Sequence, residues 1–206
     1  MSNCFNNNQV SLMGEIVSPF QLNHEVYGEK FYTVDVEVSR FSDSVDRIHL
    51  MVSERLVDAD QDYSGKLVKI AGQFRSYNHL ENGKVRLVLF VFVKEWEFVE
   101  DVKKSNENNR LCLDGFVCKQ PVYRKTPLGR EVADVLIAVN RMYGKSDYIP
   151  CICWGRNARF AAGLSVGTRV QITGRIQSRE YYKHINEIET ERRVAYEVSV
   201  RELQVV

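Results

Sequence analysis

Shifted by 101 positions, the sequence falls on itself, and this repeat limits the possible folds more than any other feature of the chain. Gly14 in SLMGEIV lands on Gly115 in CLDGFVC, and YGEKFYTVDVEVSR lands on LGREVADVLIAVNR. The shift superposes Gly28 on Gly129, Val34 on Val135, Val36 on Ile137, Val38 on Val139 and Arg40 on Arg141. Ile48 meets Ile149 and Arg55 meets Arg156; one added residue then brings Gly65 onto Gly167, Gly72 onto Gly174 and Ser76 onto Ser178. Glycines and alternating apolar positions kept in step over most of ~100 residues mark a duplicated domain. The units are residues 1–101 and 110–206, joined by 102–109. The stretch EDVKKSNENNR around that join is polar, charged and rich in Asn, the composition of an exposed connector. Its shortness predicts that the two copies pack together instead of tumbling freely.

Each copy reads as all-β. In the second, LCLDGFVC, VADVLIAVN, YIPCICW, RVQITGRIQ and AYEVSVREL are five runs rich in β-branched residues with period-two alternation. Between the third and fourth, NARFAAGLSVG spaces Phe160, Ala161 and Leu164 as on a helix and ends it at Gly163 and Gly167. That order belongs to the OB-fold. The expectation is an all-β chain of two tandem OB-fold five-stranded Greek-key barrels, each with a short helix between strands three and four. Gly14, Gly115, Gly72 and Gly174 suit the sharp bends that closing so small a barrel requires.

Composition narrows the classes further. No apolar run approaches the ~20 residues of a membrane span, and MSNCFNNNQV lacks the basic and apolar regions of a secretory signal. Five cysteines without an export signal read as reduced thiols, so a cytoplasmic location is expected. The net charge of +1 hides a split: residues 1–101 carry 10 Lys+Arg against 16 Asp+Glu, and the remainder 18 against 11. An acidic half beside a basic half predicts that the second binds anions and the first has another task. His24, His49, His79 and His184 are scattered, and no phosphate loop, HExxH or nucleophile elbow occurs. Cys112, Cys118, Cys151 and Cys153 do not form two knuckle-like pairs, so no metal, cofactor or catalytic activity is expected.

The binding chemistry is read from the outward side chains of the second barrel. In its third strand, alternation sends Ile149, Cys151 and Cys153 inward, and Tyr148, Pro150, Ile152 and Trp154 outward. Tyr143 stands in the preceding hairpin, and Tyr181 with Tyr182 follows the fourth strand. Among them lie Arg141, Lys145, Arg156, Arg175, Arg179 and Lys183. Rings for stacking, interleaved with cations for phosphates, are what a single nucleic-acid strand needs, because every base has a π-face and every nucleotide a charge.

From Arg110 to Val206 the chain resembles the bacterial single-stranded DNA-binding protein family. The resemblance rests on LGREVADVLIAVNR and on SDYIPCICWGRNARFAAGLSVGTRVQITGRIQSREY, which follows the family's aromatic–x5–aromatic–Gly–Lys/Arg pattern and its Gly-Arg-Ile/Leu-x-Ser/Thr-Arg stretch. It implies DNA stacking by Tyr148, Trp154 and Tyr181, with Tyr143 matched in a variable hairpin. It also implies four barrels in the active form, which a two-barrel chain reaches as a homodimer. The chain stops at RELQVV without the family's acidic, apolar-tipped tail, so recruitment of replication or repair proteins through such a tail is not expected.

The first copy departs from the pattern. Arg47 replaces Tyr148, Ser53 replaces Trp154, Ser42 replaces Tyr143 and His79 replaces Tyr181, which predicts weak or no DNA binding there, with Phe41, Arg40, Arg47 and Tyr77 as a reduced track. Its last strand, VRLVLFVFVKEWEFV, is apolar on both faces, and Val88, Phe90 and Phe92 are expected to be covered by the second barrel or a second subunit. The functional expectation is sequence-tolerant binding and protection of single-stranded DNA in replication, recombination or repair, in a bacterial, nucleoid-associated setting. The alternatives are a primosome-type OB-fold interaction scaffold and a single-stranded RNA binder.

Overall fold

A computed structural model describes residues 7–42, 44–81, 83–102, 105–184 and 190–206. Among these, each half carries six strands. The first has β1 (Asn8–Ile16), β2 (Gln21–Val26), β3 (Glu29–Ser39), β4 (Val45–Ser53), β5 (Leu67–Glu81) and β6 (Lys84–Val99). The second has β7 (Asn109–Val117), β8 (Val122–Lys125), β9 (Glu131–Asn140), β10 (Ser146–Trp154), β11 (Arg169–His184) and β12 (Thr190–Val205), with helix α1 (Arg156–Ala162) after β10. The additional strands β2 and β8 are exposed along their whole length, so they carry no apolar alternation to betray them in the sequence. No helix among the described residues is long and apolar enough to cross a membrane.

Each half closes on itself. Antiparallel β3–β4, β5–β6 and β1–β5 pairs are joined by the parallel β4–β6 pair and the short β1–β3 contact, and β7–β12 repeat this circuit. Val34, Val36, Ile48, Leu50, Ile70 and Phe74 fill the first interior, and Val135, Ile137, Ile149, Cys151, Ile172 and Ile176 the second. A methyl group added at Gly14 would overlap the carbonyl of Glu37, and at Gly115 that of Ala138. These glycines therefore answer a close strand approach, as do Gly72 against the Phe92 carbonyl and Gly174 against that of Ser199, both also at register shifts in β5 and β11.

The expected helix is present only in the second half of the described chain. Between β4 and β5 the first half runs through turns. There the carboxylates of Asp58 and Asp62 accept the backbone N–H groups of Asp60 and Ser64, competing with helical bonding. Tyr63 is drawn onto Phe20 and Phe98 at ring distances of 6.1 and 4.9 Å.

The halves meet through β1 and β7, paired antiparallel with Val10 opposite Leu111, its own counterpart in the repeat. A residue facing its duplicate is the signature of a two-fold relation, here held within one chain. Asn8 and Asn109 brace this seam alike: each side-chain amide brackets one residue, Phe74 or Ile176, by bonding to its N–H and its C=O.

Candidate nucleic-acid interface

Strand β10 organises the site. Ile149, Cys151 and Cys153 point into the core; burial pushes the Cys151 thiol well up and that of Cys153 to about 12, so both act as small apolar fillers. On the outer face Tyr148 and Trp154 keep 44% and 38% of their surface exposed, whereas Ile152 between them is buried. The alternation assigned the face correctly but could not foresee that Ile152 would be covered.

Residues opposite one another across antiparallel strands share a face. Trp154 lies opposite Val132, and Val132 opposite Arg124 on β8, so Arg124 joins the Trp154 face. Its guanidinium pairs with Asp134 at 2.9 Å, half exposed. Sequence reasoning missed this cation because the four-residue strand VYRK has no periodic signal.

The remaining aromatic positions ride on hairpins. Tyr143 sits in a tight turn between β9 and β10 with φ of +64°, followed by Gly144 at +68°, and is almost fully exposed. A bulky residue in left-handed conformation is uncommon, and here it aims the ring off the hairpin tip. Tyr181 lies on the β11–β12 hairpin with the Arg179 guanidinium 6.0 Å from its ring centroid, and Tyr182 beside it is more exposed.

The six cations expected on this surface divide. Lys145, Arg156 and Arg179 are exposed, Arg156 at the start of α1 just beyond Trp154. Arg141 and Arg175 are held instead by buried carboxylates: Arg141 Nε is 3.2 Å from Asp147, and Arg175 Nη1 is 2.9 Å from Asp46 of the first half. Lys183 is described only in its backbone, its side chain lying outside the described residues.

At the matching face of the first barrel, Arg47 and His49 both bind Asp35, at 2.9 and 2.7 Å. Burial works to raise the Asp35 carboxyl, but the bonds from His49 and Arg47 outweigh it and the net shift is downward. Burial and, after it, the Asp35 carboxylate push the phenol of Tyr196 on β12 up to about 12. On this face Arg47 and Ser53 stand where β10 has Tyr148 and Trp154, and Arg47 and His49 are both paired with Asp35. On the Val88–Phe90–Phe92 face, Phe90 is buried and Phe92 half-buried. Phe92 lies under the Arg75 guanidinium at 3.9 Å and beside Phe31 at 6.0 Å, while Phe90 meets Tyr77 at 5.7 Å. Both rings thus have partners within the same barrel, and Val88 is half-buried.

Among the described residues, no cluster of three His, Cys, Asp or Glu is arranged to hold a metal ion. The class defined by fold and site is an all-β protein of OB barrels with an aromatic and cationic outer face. Residues 108–206 match the model of the Single-strand binding protein family. Over 80 residues the chain is 39% identical to single-stranded DNA-binding protein 2 of Listeria innocua, covering 35% of this chain and 50% of that protein. It is 38% identical to single-stranded DNA-binding protein A of Bacillus subtilis, again over 80 residues, 35% of this chain and 46% of the relative. The chain thus spans about half the length of the curated relatives it matches. The wild-type single-stranded DNA binding protein from Thermus aquaticus superposes with a TM-score of 0.74 at 18% identity, over 97% of this chain and 92% of that one, a likeness of fold. The protein is therefore SSB-like, with the family's sequence pattern in its second half.

Proposed function

We propose that the chain binds single-stranded DNA without regard to sequence, through the outer face of the second barrel. The observation that carries this reading is the placement of Tyr148 and Trp154 as exposed rings on one face of β10, with Arg124 on the same face and Arg156 just beyond. Tyr181 and Tyr143 extend the track on their hairpins, and Lys145, Arg156 and Arg179 supply phosphate contacts. Stacking accepts any base, and each ring contributes ~1–3 kcal/mol. The matched relatives, single-stranded DNA-binding proteins by name, support the same ligand. Oligomerisation into a four-barrel particle belongs to the proposal.

Fluorescence tests this directly, because the chain has two tryptophans. Trp96 packs against Phe20 and Phe98 in the first barrel, 5.9 and 5.8 Å between ring centres, and should not report on ligand. Oligo-dT should quench Trp154, and unchanged emission at saturating oligonucleotide would refute the reading. Preference for oligo-U over oligo-dT would redirect it to RNA.

A further inference from the structure

Two reciprocal contacts cross the seam between the barrels. Ser76 of the first barrel gives its N–H to Asp147 Oδ1 at 2.7 Å, and its Oγ accepts the N–H of Tyr148 at 2.7 Å. Across the two-fold relation, Ser178 gives its N–H to Asp46 Oδ1 at 3.0 Å, and its Oγ accepts the N–H of Arg47 at 3.0 Å. Ser76 and Ser178 are the serines that the repeat superposes, so duplication preserved the clamp while the faces around it diverged.

The two clamps fall beside different things. The first fixes the backbone of Tyr148 itself. The second grips the β11–β12 hairpin at Ser178, three residues before Tyr181, and Arg175 reinforces it through Asp46. Tyr196, opposite Ser178 on β12, is near enough to Asp35 for that carboxylate to help push its phenol up. β11 pairs with β7 only as far as Gly174, and beyond that point the hairpin's ladder runs between β11 and β12.

We infer that the first barrel is a positioning module for the second: through Ser76 on Tyr148, and through Asp46 and Arg47 on Ser178, it sets the relative placement of the Tyr148 and Tyr181 rings. This rests on the proposed single-strand binding and adds to it a reason for the acidic copy. Ser76 and Asp46 are positioning residues, acting through rings they do not themselves replace. A strand that spans both rings is held best when their separation is fixed in advance, because binding then loses less freedom.

Double-mutant cycles on the full chain test the inference, with oligo-dT affinity as the readout. A backbone clamp lost with one hydroxyl is worth roughly three- to tenfold in affinity. Ser76→Ala should weaken binding by that factor in the wild-type background and have no further effect in a Tyr148→Ala background. Ser178→Ala should behave likewise against Tyr181→Ala, and Ser76→Thr, which keeps the hydroxyl, should restore affinity. Losses that are equal with and without the ring, or no loss at all, overturn the inference. Hydrogen exchange on the wild-type chain gives a reading free of folding artefacts: the N–H groups of Tyr148 and Arg47 should exchange as slowly as those of the strand ladders, and fast exchange at either overturns its clamp. If Tyr148→Ala and Tyr181→Ala themselves bind like the wild type, the binding face is what fails, and the positioning role falls with it.

Discussion

The outer faces of β4 and β10 occupy equivalent places in two copies of one barrel, yet their chemistry is opposed. On β10, Tyr148 and Trp154 stand exposed with cations nearby. On β4 the same positions hold Arg47 and Ser53, and Asp35 gathers Arg47 and His49 into a closed network. The interiors, by contrast, stayed alike, Val36 for Ile137 and Ile48 for Ile149, because a close-packed barrel tolerates little change of volume. The two copies thus share a core and a seam and differ in the chemistry of one outer face.

The largest expected effect strikes the conserved part of that comparison. Phe74 is fully buried, and Phe74→Ala should destabilise the first barrel by about 3–5 kcal/mol. Chemical denaturation would measure it, and a simultaneous loss of Trp154 quenching would show that the acidic barrel supports the basic one. Next comes Trp154→Ala, which should weaken oligo-dT by ~1–3 kcal/mol, while Ser53→Ala at the equivalent position should change affinity by less than ~0.5 kcal/mol. Equal effects at the two sites would erase the distinction between the faces. A smaller change is expected at Arg156: its alanine variant should flatten the fall of log affinity with log salt by about 0.7, the share of one phosphate. Arg55, its counterpart, already pairs with Glu29 at 2.9 Å, and Arg55→Ala should leave that slope alone.

The pH response sharpens the contrast with the smallest effect. Asp35 is shifted down, so its contribution to stability is present above the ordinary aspartate range and is lost as pH falls through its lowered value. Asp147 is shifted up by burial, only partly offset by the Ser76 N–H, Arg141 and Arg75. Its contribution is fullest below the ordinary aspartate range and is lost as pH rises through the raised value. Thermal melts across pH should therefore show Asp35→Asn removing part of the acid-side loss, and Asp147→Asn removing a loss of opposite slope. Parallel shifts in the two variants would contradict this assignment.

Much of the molecule was legible before any coordinates. The repeat, the inward set Ile149, Cys151 and Cys153, and the outward Tyr148 and Trp154 follow from spacing, because a strand's side chains alternate whatever the rest of the chain does. Local chemistry already hid some features: β8 with Arg124 is too short and too exposed for periodicity, and the Asp58 and Asp62 turns displaced a helix that the repeat implied.

The sequence by itself determined a duplicated all-β chain, its core alternation and which copy kept its rings, since these depend on neighbours a few residues apart. Only the tertiary structure decided that Arg175 would serve Asp46, that Ser76 would hold Tyr148, and that Tyr196 would come within electrostatic reach of Asp35. Those partners lie 72 residues apart in one case and well over a hundred in the others, and a serine or arginine on a strand carries the same local pattern whether it meets water or a buried carboxylate. Closing two barrels around a shared seam brings such groups together, and burial there makes their pairing obligatory.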